Sequence, residues 1–104
     1  MKVRRVIYFL LSSITLTIFL TRTVVALTGQ QYLSEAKLTL ASARQIALKA
    51  SPGKIVSEEL ERESGGSGLR YSFVIQKGKA QQEVGVDAKT GQVLENSVEG
   101  KNPD

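Results

Sequence analysis

From Leu69 to Gln76 the chain reads LRYSFVIQ, and every second residue (Leu69, Tyr71, Phe73, Ile75) is large and apolar. Arg70, Ser72, Val74 and Gln76 occupy the alternate positions. Successive side chains of a strand point to opposite faces of a sheet, so this period of two predicts a strand with one buried and one wetter face. A strand of this kind cannot bury its apolar side alone. The chain must supply partner strands and a cover for one sheet face.

The cover is predicted upstream. Leu40 to Ala50 (LASARQIALKA) is rich in strong helix formers. Leu40, Ala43, Ile46, Ala47 and Ala50 recur at steps of three and four and share one small-residue face. Arg44, Gln45 and Lys49 fall outside that face. Thr39 is a suitable N-cap, Lys49 suits the last turn, and Pro52-Gly53 stops the helix. Strands are predicted at Ile55–Glu63, with Val56 and Leu60 on one side and a helical reading of the charged Ser57–Glu63 left open, at Gln82–Asp87, with Val84 and Val86 inward, and at Gln92–Glu95. Ser64–Gly68 (SGGSG), Lys77-Gly78-Lys79 and Ala88–Gly91 are the connecting turns. The expected fold class is α+β: one N-terminal helix packed on an antiparallel β-meander of three to four strands, with the far sheet face left wet.

The N-terminus has a separate character. Met1-Lys2-Val3-Arg4-Arg5 is basic, Val6–Leu20 carries no charge, and Val24 and Ala26 fit the small-residue positions before a cut. This layout predicts a secretory signal peptide over 1–26, cleaved between Ala26 and Leu27. The rival is an uncleaved membrane anchor, which needs roughly 20 apolar residues. Arg22 and several Ser and Thr residues interrupt the stretch, although Val24, Val25 and Leu27 could extend it. Net charge takes its meaning from this division. The 104-residue chain is +4, but removing residues 1–26 leaves ten basic and ten acidic side chains. The basic pI therefore belongs to the export segment and gives no sign of nucleic-acid binding, which needs a basic patch on the folded domain. Residues 27–37 read as a polar leader and 96–104 as a frayed tail.

The ordered segments resemble one family. Leu38–Ala47 (LTLASARQIA) looks like the opening helix of PepSY domains, and Pro52–Val56 like their helix-to-strand junction. Tyr71–Ile75 resembles the central strand. Val86–Leu94 (VDAKTGQVL) is close to the family's V-D-x-x-T-G-x-V-L ending. The likeness covers Leu38–Glu95, with the Gly-Gly-Ser-Gly loop and Gly85 as departures. Gly85 in a strand suggests a bulge or a close approach. The resemblance implies a bacterial periplasmic or secreted module, of the kind found in propeptides of secreted metallopeptidases. There it is associated with inhibition or folding assistance, so the implied partner is a protein such as a secreted peptidase. Contact with the membrane is expected only through an uncleaved N-terminal segment.

Catalytic chemistry finds little support. There is no His and no Cys, which removes the commonest general base, the commonest metal ligand and the thiol nucleophile. The acids Glu58, Glu59, Glu61 and Glu63 lack the spacing of a calcium loop and read as a charged, exposed strand edge. Gly65–Gly68 lacks the Lys-Ser/Thr of a phosphate loop. Asp87 is the most plausible polar site residue. Its structural role would be to accept turn amides or the Thr90 hydroxyl, with Gly91 supplying a positive φ. Tyr71 and Phe73 read as core. The expectation is a binding or inhibitory module that is not an enzyme and uses no cofactor or metal. The alternative is a membrane-anchored structural or regulatory envelope protein.

Overall fold

The computed structural model describes residues 25–100. Its elements run β1 (Leu27–Thr28), a 3-10 turn (Gln30–Glu35), α1 (Leu40–Ala50), β2 (Lys54–Arg62), β3 (Leu69–Lys77), β4 (Ala80–Asp87) and β5 (Val93–Val98). The sheet order is β1-β2-β3-β4-β5. β2 to β5 form the antiparallel meander, and β1 joins β2 in parallel. The fold is α+β, with five strands among the described residues rather than three or four.

Helix α1 has the expected bounds. Thr39 Oγ1 accepts the Ser42 N–H at 3.1 Å, a side-chain cap for one of the N–H groups a helix start leaves unpaired. Ala43 and Ala47 are fully buried, and their small side chains let the helix lie close to the sheet. Leu40 and Ile46 are half-buried, but Ala50 is exposed.

Leu69, Tyr71, Phe73 and Ile75 on β3 meet Val84 and Val86 on β4 and Leu60 on β2, all buried beneath α1. Each large side chain so buried contributes roughly 1.5–3 kcal/mol. The Tyr71 and Phe73 rings stack with centroids 6.3 Å apart. Tyr71 Oη donates to Leu38 O at 2.8 Å, so the phenol is satisfied within the core, and burial raises its pKa.

Three expectations are corrected. Val56 and Leu60 do not share a face: Ile55 opposes Ile75 but Ser57 opposes Val74. A bulge at Val56 therefore shifts the phase of β2, leaving Val56 exposed while Glu58 and Leu60 turn inward. The polar leader holds an element the periodicity could not reveal. Leu27 and Thr28 pair with Glu58 and Glu59, and two residues are too few to carry a period. Finally, β5 runs on through Asn96, Ser97 and Val98, so the expected tail begins later than Asn96. The predicted signal segment falls on residues 1–24, outside the described residues, apart from its last two positions, Val25 and Ala26. Residues 101–104 also lie outside. Among the described residues no helix is long and apolar enough to cross a membrane.

Candidate functional site

The turn after β4 is the most densely bonded polar feature. Asp87 is fully buried. Its Oδ1 accepts Lys89 N–H at 2.8 Å and Thr90 N–H at 3.1 Å. Two further bonds arrive from the β2–β3 loop: Ser67 N–H to Oδ2 at 2.6 Å and Ser67 Oγ to Oδ1 at 2.7 Å. Burial alone would raise the Asp87 pKa, but these four donors outweigh it and hold the carboxyl well below the usual carboxylate range. Thr90 does not donate its hydroxyl to Asp87; Thr90 Oγ1 instead accepts Gln92 N–H at 3.2 Å. Gly91 has φ +81° and lies under the helix, where an added Cβ would stand 3.3 Å from both Ile46 Cδ1 and Leu38 Cδ2.

Neighbouring backbone groups converge on the same corner. Ala88 O accepts both Lys37 N–H and Leu38 N–H at 2.9 Å, and Ala88 N–H donates to Leu69 O at 2.9 Å. The Asp87–Gly91 turn thus ties the helix entry, the β2–β3 loop and the start of β5 together. Local reading of D-x-x-T-G anticipates the turn amides. Ser67 lies twenty residues away, and no local pattern links it to Asp87. Gly66 offered the one sign, since a Cβ there would overlap Asp87 Oδ2.

A second polar constellation joins helix to sheet. Arg44 Nε and Nη2 donate to Glu58 Oε2 and Oε1, the latter at 2.8 Å. The Glu58 side chain is 2% exposed and that of Arg44 42%. Glu58 is therefore not part of an exposed edge, as the sequence suggested; the Val56 bulge turns it inward and α1 supplies its counter-ion.

The outer sheet face is acidic. Glu59, Glu61 and Glu63 of the β2 segment, Glu83 of β4 and Glu95, Ser97 and Glu99 of the β5 segment line two shallow depressions of about 290 Å³ each. Burial raises the Glu83 pKa, and Glu95, Glu99, Glu61 and Glu63 add to the rise. Arg70 lies in this field with its side chain 8% exposed, 3.5 Å from Glu95 and 4.0 Å from Glu63, and it donates to Ser64 O at 3.1 Å. Gly85 gives it room, because a Cβ at Gly85 would come within 3.3 Å of Arg70 Cδ and Nη1. The β4–β5 register also shifts between Gly85 and Val86.

Among the described residues no group of three or more His, Cys, Asp or Glu side chains is arranged to hold a metal ion. Asp87 and Glu58, the two buried carboxylates, have their hydrogen-bonding capacity committed to the fold. What remains available to a partner is surface: the acidic face and the sheet edges.

Compared with known proteins, residues 37–96 match the family model described as peptidase propeptide and YPEB domain, PepSY. No curated protein and no solved structure matches. More than half of the chain lies inside the family match, which takes in α1, β2 to β4, the Asp87–Gly91 turn and β5 as far as Asn96, and the chain belongs to the PepSY family.

Proposed function

We propose that this protein is an exported, non-catalytic module of the peptidase-propeptide type, which binds a protein partner in the periplasm or outside a bacterial cell. A secreted peptidase, inhibited or assisted in folding, is the leading candidate for that partner, and an envelope protein the next. The observation that carries the reading is the PepSY match over 37–96. Two features agree with it. The buried carboxylates Asp87 and Glu58 act as struts, and the solvent-facing surface is a sheet with carboxylates on its open face.

The test uses the protein as its host exports it. Expected is its recovery from envelope or culture supernatant with an intact mass that begins at Leu27, together with inhibition of a co-encoded secreted peptidase or stable capture of an envelope protein. Failure of both inhibition and capture would remove the binding reading. A mass that begins at Met1 would instead support the anchored envelope protein.

A further inference from the structure

The two edges of the sheet are not alike. On the β2 side, β1 covers Glu58 and Glu59. The 3-10 turn then lies beside the end of the strand, where Arg62 bonds Glu35 at 2.6 Å and sits 5.0 Å over the Tyr32 ring. The bulge at Val56 interrupts what is left. On the other side, β5 is the last strand, and among the described residues no strand pairs with its far edge. Glu99 N–H donates to Gln81 O at 2.8 Å, and the register places Ser97 opposite Glu83 and Glu95 opposite Gly85. In an antiparallel ladder such bonds alternate along the strand. Residues 95, 97 and 99 therefore face β4, and Asn96 and Val98 direct their N–H and C=O groups outward.

The side chains of this edge differ between its two faces. Val93 is 38% exposed and Val98 42%, and their partners Val86 and Gln82 lie in register with the core-facing side of β3. On the opposite face Glu95, Ser97 and Glu99 continue the carboxylate field. β5 itself carries no basic residue. Glutamates on an open edge oppose pairing with a second copy, since like charges brought side by side are destabilising.

We propose that the β5 edge is a docking site for an extended segment of a protein partner in which aliphatic residues alternate with Lys or Arg. The segment adds a sixth strand through the backbone groups of Asn96 and Val98, places its aliphatic side chains beside Val93 and Val98, and sets its cations beside Glu95 and Glu99. Main-chain pairing supplies affinity in this mode, and alternate side chains supply selectivity. The proposal rests on the binding-module reading and adds the surface and the chemistry of the partner.

The probe is a short capped peptide of alternating valine and lysine, compared with one in which glutamate replaces lysine, each titrated against the full exported protein. The lysine peptide is expected to bind at least about tenfold more tightly, as two cross-strand ion pairs replaced by two repulsions would give. Amide exchange is expected to slow at Asn96 and Val98. The Glu95→Lys/Glu99→Lys variant should invert the preference. Asn96→Pro should abolish binding, because it removes an outward N–H while sparing the backbone bonds to β4; Asn96→Ala, which loses the same side-chain bond from Gln82 at 2.6 Å but keeps the N–H, should still bind. Equal binding of the two peptides, an unchanged preference in the charge-reversed variant, or protection elsewhere on the sheet would overturn the proposal. So would a concentration-dependent dimer dissolved by Asn96→Pro, which would assign the edge to a second copy. Peptidase inhibition that is identical in wild type and the charge-reversed variant would overturn this docking site and leave the binding-module reading standing. The expected peptide selectivity without any peptidase or envelope partner would do the reverse.

Discussion

Asp87 shows how one side chain holds several segments. Its four donors come from two stretches, Ser67 and Lys89-Thr90, the first of them twenty residues from Asp87, so loss of the charge leaves buried donors facing a poorer acceptor. Asp87→Asn is expected to destabilise the fold by about 2–4 kcal/mol at pH 7, read from denaturant unfolding. The pH dependence has a definite sign. The folded-state pKa lies below the unfolded value, so the stabilisation is complete above the ordinary carboxylate range, near pH ~4, and is lost as pH falls further. The gap between wild type and Asp87→Asn should therefore narrow steadily below about pH 4. A gap that stayed constant from neutral to acid would mean that the ionised carboxylate is not the stabilising species. The turn and its Asp were legible in V-D-x-x-T-G, and so was the need for glycine at 91. Ser67 was not, because its bond to Asp87 is made only once the β2–β3 loop folds over the end of β4.

At the scale of elements, the Arg44–Glu58 pair sets how α1 lies across β2. Removing Arg44 leaves a nearly fully buried carboxylate with no counter-ion, whereas removing both partners leaves none to satisfy. Because Arg44 is itself partly in water, Arg44→Met is expected to cost about 2–3 kcal/mol, less than a fully buried pair. Arg44→Met/Glu58→Leu should recover most of that loss in a double-mutant cycle measured by thermal or denaturant unfolding. A double variant as unstable as the sum of the singles would exclude direct coupling. The bounds of helix α1 were readable, since its cap and its stop agree, although Ala50, expected on the packed face, is exposed. Strand β2 was less readable: its glutamates left a helix over Ser57–Glu63 open, the structure makes it a strand over Lys54–Arg62, and its facing was not legible. The Val56 bulge breaks the alternation, and a run of glutamates resembles an exposed edge until the helix brings Arg44 to it.

Across the whole molecule, charge is divided between faces. On the core side, among the described residues, Arg44 pairs with Glu58 and Arg62 with Glu35, while the outer face gathers Glu59, Glu61, Glu63, Glu83, Glu95 and Glu99 around Arg70. Glu83 sits where burial and four neighbouring carboxylates resist its ionisation. A carboxyl with a raised folded-state pKa destabilises the fold once ionised and ceases to do so below its unfolded value. Glu83→Gln should therefore raise stability at pH 7 by up to about 1 kcal/mol, and the gain should fade below about pH 4 and in high salt. No gain at neutral pH would mean that Arg70 already offsets the repulsion. The zero net charge that the sequence assigns to residues 27–104 gave no warning of this polarity, because composition sums over faces that folding separates.

The sequence by itself determined the α+β class, the bounds of the capped helix, the inward set of β3 and the lack of His and Cys chemistry. These follow from periodicity, capping and inventory, all short-range or compositional properties. Only the tertiary structure decided that Leu27 and Thr28 form a further strand, that Glu58 is an interior strut, that Ser67 closes the Asp87 corner and that, among the described residues, no strand pairs with the far edge of β5. Each of these depends on which distant segments come to lie beside one another, and that is settled by burying the β3 face beneath Ala43 and Ala47.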